Sequence, residues 1–330
     1  MFAINLVTLN RNFAFPSFMK KTILAILVAL VPIASLADGF QLYTDSAMQR
    51  GVALLAPKPV NGVGVKIDTL RFDKNDGQPL WRLCSWDYAT RLSGDNPTQT
   101  GYGITYADDS FLFARDEDGT FTMKVEASKV YKAHRTSSSQ PWINFLVETD
   151  FGSLPVGKAQ TVIFSYMLRI ARCVNQMGSF YDTSIHAAQC LGYLYVRNTN
   201  PASLDYGKAL WLGMGCFDNR GSGGLLEKAS THWDLGTSTY IHQLAGRDVY
   251  GEIDFNDHRW HKAKVDVKAA IGEAIKSLHE KGFLTDSSVD DFSIQGMNFG
   301  WELPGTFDVT CHFRDFSLVA DVDLSVSDTQ

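Results

Sequence analysis

Alternation of apolar and polar residues dominates the chain beyond residue 100. Two alternating runs flank Asp118-Gly119, a dipeptide that favours hairpin turns. Five further runs are long, rich in aromatic and β-branched residues, and separated by Gly, Asn, Asp and Pro, as is typical of strands. They cover residues 160–171, 186–198, 208–220, 292–303 and 306–322. The pattern predicts a protein made mainly of β-strands.

Residues 267–281 depart from this alternation. Their apolar residues recur at helical spacing, and Gly282 follows where a helix C-terminus favours glycine. The apolar positions are Ala270, Ile271, Ala274, Ile275 and Leu278. Many strands without βα alternation, plus one amphipathic helix, predict an all-β fold: a two-sheet jelly-roll β-sandwich with the helix at an edge or end.

The first 37 residues have the three parts of a secretory signal peptide. Met19 precedes a basic pair, Lys20-Lys21, and residues 23–31 are uniformly apolar before Pro32. Small residues follow at the positions that a signal peptidase recognises. The apolar run is far shorter than the roughly 20 residues of a membrane span. We therefore expect residues 1–37 to be removed, with Met19 as the true start and 38–330 as a single secreted or periplasmic domain.

The charge of the chain excludes some partners. The formal net charge is −6, and the signal peptide carries three basic residues and no acid, so the exported chain would carry −9. An acidic chain without a Lys/Arg-rich run is a poor ligand for nucleic acid or for an anionic membrane surface. No second apolar run is long enough for a membrane span.

The five cysteines are widely spaced and odd in number: Cys84, Cys173, Cys190, Cys216 and Cys311. They form no CxxC pair, which excludes a zinc ribbon or a thioredoxin-type motif. Several lie in apolar strand sequence, where cysteine behaves as a small hydrophobic residue. Buried thiols are favoured over a disulfide framework, and any pairing is left open.

The predicted strand faces carry polar and aromatic side chains together. In 186–198 one face holds Gln189, Tyr193, Tyr195 and Arg197, because side chains alternate along a strand. In 292–303 the expected face contains Ile294, Gly296, Asn298, Gly300 and Glu302. Trp211 and Arg220 lie in 208–220.

Sugar rings stack on aromatic side chains, and their hydroxyls pair with amides and guanidinium groups. We therefore expect a polysaccharide or oligosaccharide as the partner. Aromatic cross-strand pairs also stabilise sheets without any ligand, so each ring taken alone is weak evidence. The candidate binding residues are Gln189, Tyr193, Tyr195, Arg197, Asn298, Trp211 and Arg220.

The C-terminal third resembles a known group of folds. HRWHKAKVDV precedes the predicted helix, and WELPGTFDVTCHFRDFSLV follows it. This arrangement resembles the last strands of concanavalin-like and galactose-binding-like jelly rolls, over residues 258–320. The resemblance implies the fold of lectins, carbohydrate-binding modules, glycosidases and polysaccharide lyases. It transfers no catalytic residue to this chain.

Hydrolysis of a glycosidic bond needs two carboxyl groups across that bond. Glu302, Glu148 and Asp218 are the candidate catalytic residues, although a strand-end glutamate or a local Asp218–Arg220 ion pair would explain them equally well. A lyase would instead need a base such as His186 or a tyrosine, with an arginine to neutralise a uronate.

Other chemistry finds little support. The sequence lacks GxSxG, HExxH, a Walker loop and a dinucleotide-binding fingerprint. No cofactor or catalytic metal is expected, although the acidic turns 73–77 and 116–119 could bind a structural calcium ion. Glycan binding is the favoured function. The alternatives are a glycoside hydrolase, a polysaccharide lyase, or a structural or adhesion protein.

Overall fold

The structure is a computed structural model that describes residues 39–234 and 237–322, so the predicted signal peptide lies outside the described residues. Its strands are β1 (Phe40–Gln41), β2 (Val52–Leu55), β3 (Lys66–Leu70), β4 (Trp81–Cys84), β5 (Thr98–Thr100), β6 (Gly103–Ala107), β7 (Phe111–Arg115), β8 (Phe121–Glu126), β9 (Ile143–Pro155), β10 (Ala159–Asn175), β11 (Gln189–Asn198), β12 (Ala209–Gly213), β13 (Phe217–Asp218), β14 (Ser230–Asp234), β15 (Thr239–Gln243), β16 (His261–Asp266), β17 (Phe292–Leu303) and β18 (Phe307–Val322). Its helices are α1 (Ala127–Val130), α2 (Gly246–Tyr250) and α3 (Val267–His279). Short 3₁₀ turns cover Val156–Lys158, Gly178–Phe180, Ser222–Gly224, Phe255–Asp257 and Val289–Asp291.

The strands form two sheets. The smaller has the order β16-β10-β18-β8-β7-β6-β5, with β1 also paired to β18. The larger has the order β14-β15-β12-β11-β17-β9-β4-β2-β3, with β13 also paired to β11. Strand pairs are antiparallel except β12 with β15 and β2 with β4. The predicted two-sheet jelly-roll sandwich is confirmed.

The core lies between the two sheets and is dominated by aromatic rings. Along β10, buried residues alternate with partly exposed ones, as expected for a strand with one inward face. Tyr166 on β10 meets Phe299 on β17 with ring centroids 5.4 Å apart. Trp301 is fully buried and donates its indole N–H to the Met123 carbonyl at 3.3 Å.

All five cysteines are free thiols in the structure, and all but Cys173 are buried. Cys190, Cys216 and Cys311 lie in the core between the sheets, where burial raises the pKa of the Cys190 thiol. They pack there as small hydrophobic residues, in line with the preference for buried thiols.

Helix α3 matches the predicted helix and closes one side of the sandwich. The Asp266 carboxylate caps its N-terminus by accepting from the backbone N–H groups of Lys268 and Ala269. Its apolar face packs against β10, β12, β14 and β16, so it bridges both sheets. The Ser277 hydroxyl lies 2.8 Å from the Thr231 hydroxyl on β14. This contact ties the edge of the larger sheet to the helix.

Two predicted strands are interrupted. Residues 208–220 form β12 and β13 with an irregular link between them. In β17 a bulge at Gln295 shifts the register between Ile294 and Gly296. Ile294 therefore turns into the core, contrary to the expected face, while Gly296, Asn298, Gly300 and Glu302 stay together. Among the described residues, no helix is long and apolar enough to cross a membrane.

Candidate functional site

The outer face of the larger sheet brings most of the predicted residues together. One row across the strands contains Asp218, Gln189, Glu302 and Asn144, on β13, β11, β17 and β9. A second row, four residues along, contains Gln243, Gly213, Tyr193, Asn298, Glu148 and Arg82. Tyr195 and Trp211 pair in the same way between β11 and β12. We call this surface the outer face.

Glu302 has the most perturbed carboxyl group of the outer face. It lies on the middle strand β17, keeps part of its surface accessible, and accepts an indole N–H from Trp142 at 3.1 Å. Burial raises the pKa of Glu302 to about 7, the Trp142 hydrogen bond opposes that rise, and the negative charge of Asp234 adds to it. A carboxyl group with this pKa exchanges its proton near neutral pH.

Asp234 affects Glu302 electrostatically although the two residues are far apart in strand order. Asp234 ends the edge strand β14, which is four strands away from β17 in the sheet. Followed across the paired strands, Asp234 aligns with Arg197 of β11, eight residues from Gln189, the partner of Glu302. On a flat sheet Asp234 and Glu302 would be about 30 Å apart, well beyond the ~8–10 Å screening length. Its charge nevertheless raises the pKa of both Glu302 and Tyr193. We infer from this electrostatic coupling that the β14 edge curls over the outer face, and we call the surface between Asp234 and Glu302 the groove.

Thr237 holds the Asp234 carboxylate in place. Oδ2 accepts from the Thr237 backbone N–H at 2.8 Å and from the Thr237 hydroxyl at 2.6 Å. The side chain is only partly buried. Asp234 thus presents a fixed carboxylate at the rim of the groove, with Glu302 on its floor.

Glu148 lies on the outer face but not beside Glu302. It sits opposite Asn298, four residues along β9 from the position that faces Glu302, so the two Cα atoms are about 14 Å apart. Its carboxylate accepts from the Trp86 indole N–H at 3.3 Å and from the Cys84 thiol at 3.2 Å. Arg82 lies 3.7 Å away. These contacts turn Glu148 towards β4, away from Glu302.

Asp218 is held by protein partners and is only 1% exposed. Arg220, a predicted binding residue, forms two side-chain hydrogen bonds to it, at 2.9 and 2.6 Å. Gln189 donates to the same carboxylate at 2.8 Å. Asp218 and the partly exposed Arg220 therefore form an ion pair, and the hydrogen bond to Asp218 orients the Gln189 amide.

Aromatic rings line the middle of the groove. The Trp211 ring lies 6.1 Å from Tyr193 and 4.9 Å from Tyr195, measured between centroids. Burial raises the pKa of both tyrosines, which keeps their hydroxyls protonated. Arg197 lies at the exposed end of this face and donates to the Gly207 carbonyl at 3.0 Å.

His186, considered as the base of an elimination, lies away from the groove. It is 1% exposed. Its Nδ1 accepts from the Asp182 backbone N–H at 3.0 Å, so Nε2 carries the proton and donates to the Arg135 carbonyl at 2.7 Å. Both nitrogens are occupied by structural hydrogen bonds.

No protein-family profile and no curated protein matches the sequence. Solved structures with a similar chain course include the endoglucanase Cel12A of Rhodothermus marinus, at 11% identity and a TM-score of 0.34, over 68% of this chain and 95% of that one. The family 12 xyloglucanase of Bacillus licheniformis gives 10% identity and a TM-score of 0.37, over 68% and 96%. The family 11 xylanase of Neocallimastix patriciarum gives 8% and 0.31, over 66% and 94%. At these TM-scores the similarities assign no activity to this chain.

The acidic turns 73–77 and 116–119, predicted as possible calcium sites, accept hydrogen bonds from backbone N–H groups of their own loops. Asp73 accepts from the Asn75 N–H at 2.7 Å, and Asp116 accepts from the Thr120 N–H at 2.9 Å. Within residues 39–234 and 237–322, no three His, Cys, Asp or Glu side chains are close enough to hold a metal ion.

Four residues at or near the groove are not among the candidates predicted from the sequence: Asp234, Trp142, Asn144 and Gln243. Asp234 follows His-Trp at a strand end, and Gln243 ends a short strand, so alternation places each on a face of its own strand. Their approach to Glu302 and Tyr193 depends on strand pairing and on the curl of the sheet. Neither the strand pairing nor the curl can be predicted from the local sequence.

Proposed function

We propose that this protein is a glycoside hydrolase that cleaves a polysaccharide in the groove, with Glu302 as general acid and Asp234 as the second carboxylate. Two observations support the proposal: Asp234 and Glu302 share the outer face of the larger sheet, and the negative charge of Asp234 contributes to the raised pKa of Glu302. Paired carboxyl groups in different environments are the requirement for glycosidic bond cleavage.

The environment of Glu302 suits proton donation. With a pKa of about 7 it is protonated on roughly half of the molecules at neutral pH. The Trp142 indole N–H holds Oε2, which leaves Oε1 for the glycosidic oxygen. As that oxygen takes the proton, the bond to the sugar breaks and positive charge develops on the ring. Tyr193 and Trp211 would hold the apolar face of the sugar.

Asp234 would serve the opposite side of the sugar. Its Oδ2 is held by Thr237, so the carboxylate is fixed, while its partly exposed position admits either water or the sugar ring. An ionised carboxylate there stabilises the developing positive charge and either activates water or attacks the ring carbon. Glu148 and Asp218, the other predicted acids, have no such role in this proposal because their carboxylates are engaged by Arg82 and Arg220.

Glycan binding without cleavage is the second candidate function. The observation that favours it is the aromatic floor formed by Tyr193, Tyr195 and Trp211, which binds sugars without any acid. A binding protein would keep its affinity and show no turnover.

The test is release of reducing ends from a panel of soluble polysaccharides by wild type, Glu302→Gln and Asp234→Asn. Both variants should lose about 10²–10⁴-fold in rate, as expected for removal of an acid or base, while retaining glycan affinity. The exposed residues Glu117 and Asp95 supply matched controls, Glu117→Gln and Asp95→Asn, which should match wild type. Full activity in Glu302→Gln would refute the assignment. Binding without turnover in wild type would leave the second candidate.

A further inference from the structure

Two amide side chains of the outer face have buried polar atoms without a hydrogen-bond partner among the described residues. One is Nε2 of Gln243, whose side chain is only 5% exposed. The other is Oδ1 of Asn298. Exchanging the oxygen and nitrogen of the Asn298 amide would leave a buried donor unpaired instead of an acceptor. Such groups are rare in folded proteins and each calls for an explanation.

The two amides flank Tyr193. Asn298 on β17 is its direct cross-strand neighbour on one side. On the other side lies Gly213 of β12, and then Gln243 of β15. The Gln243 side chain lies over Gly213: a Cβ on that glycine would overlap Oε1 of Gln243 and would come within 2.8 Å of the Tyr193 ring. The absent side chain of Gly213 therefore lets the Gln243 amide reach the ring.

Burying a polar atom of this kind costs free energy unless the atom forms a hydrogen bond. A buried unpaired donor or acceptor loses its bonds to water and gains nothing in return. Sugar hydroxyls both donate and accept, so a sugar lying on Tyr193 would satisfy both amides at once. Unpaired amides at a binding site therefore destabilise the free protein and favour the complex with the sugar.

Resting on the proposed function, we propose that Asn298 and Gln243 are the specificity-determining residues of the groove and that its substrate is a neutral polysaccharide. The amides bind hydroxyls of one sugar unit on either side of Tyr193. The Asp234 carboxylate on the same face repels a uronate, and so does Glu302 in its ionised form. The cation of the same row, Arg82, is engaged by Asp150 at 2.7 Å and by Glu148 at 3.7 Å, which leaves no free counter-charge there.

The test is affinity electrophoresis of the full chain in Glu302→Gln background, so that the polymer stays intact. The probes are mixed-linkage β-glucan and xyloglucan as neutral polymers, and polygalacturonate as the acidic one. Asn298→Ala and Gln243→Ala should each weaken binding of a neutral polymer roughly three- to tenfold, the usual effect of losing one hydrogen bond. Gln99→Ala, on the exposed edge strand β5, is the matched control and should change nothing. Asn298→Leu and Gln243→Met, which are apolar and of similar side-chain length, replace any alanine variant that fails to fold.

The outcomes separate this inference from the proposed function. Unchanged affinity in folded variants at both positions overturns the inference, even if wild type cleaves the polymer. Polygalacturonate bound as tightly as the neutral polymers overturns the assigned substrate class. Weaker neutral-polymer binding in both variants, together with no hydrolysis by wild type, supports the amide row and overturns the hydrolase assignment alone.

Discussion

The raised pKa of Glu302 makes the stability of the fold depend on pH in a defined window. The ordinary glutamate pKa of 4.5 applies to the unfolded chain, and the folded value is about 7. Between these values the native state holds a proton that the unfolded chain has released. Stability therefore falls as pH rises through this window, and the loss is complete above pH 7. Glu302→Gln cannot ionise and should escape the loss.

The magnitude follows from the size of the shift. A displacement from 4.5 to about 7 corresponds to about 3 kcal/mol at 1.36 kcal/mol per unit. Because the Glu302 side chain keeps some contact with solvent, we take about 3 kcal/mol as the upper bound. The free energy of unfolding of Glu302→Gln, relative to wild type, should rise by up to this amount between pH 4.5 and pH 8.

Urea denaturation followed by tryptophan fluorescence at pH 4.5, 6 and 8 measures this difference. Glu117→Gln removes an exposed carboxyl group and should show no such rise, which makes it the matched control. If the free energies of wild type and Glu302→Gln changed in parallel with pH, Glu302 would have an ordinary pKa, and the reasoning that makes it a general acid at neutral pH would fail.

Three further substitutions test separate parts of the site. Trp142→Phe removes the hydrogen bond that lowers the pKa of Glu302, so the alkaline limb of the rate–pH profile should move to higher pH; a shift to lower pH would contradict the assigned bond. Arg220→Ala removes the partly exposed cation that is hydrogen-bonded to the buried Asp218 carboxylate and should cost about 1–3 kcal/mol in chemical denaturation, whereas an unchanged free energy of unfolding would contradict the assigned ion pair. Asn298→Ala removes an unpaired buried acceptor and should leave the free energy of unfolding unchanged or higher; a loss above ~2 kcal/mol in chemical denaturation would show that the amide has an internal partner.

Local periodicity was sufficient for the hairpin at Asp118-Gly119, for helix α3 and for the side-chain faces of an uninterrupted strand such as β11. Alternation placed Tyr193, Tyr195 and Arg197 on one face because the side-chain period of a strand is two. Helical spacing located α3 for a similar reason. A bulge inserts one extra residue into a strand, and the alternation of side chains does not show where. Alternation therefore predicts Ile294 on the same face as Asn298, whereas Ile294 lies in the core.

The candidate site depends on non-local geometry more than the individual strands and the helix do. Glu302 could be singled out because an acid follows a glycine-rich strand, but its relation to Asp234 arises from strand order and from the curl of the larger sheet. The separation of Glu302 and Glu148 likewise depends on which residues of β9 and β17 pair. The burial of Asp218 depends on how β13 joins β11. Register and curvature are properties of the assembled sheet.

The most direct test of the central claim is the mass spectrum of products made from a neutral polysaccharide in water enriched in ¹⁸O. A hydrolase adds one water to each broken bond, so each new reducing end should carry an oxygen atom from the labelled water in wild type, and Glu302→Gln should form this product about 10²–10⁴-fold more slowly. Products lacking water and containing an unsaturated ring would identify elimination. Unsaturated products, or labelled products formed equally by Glu302→Gln, would contradict the account.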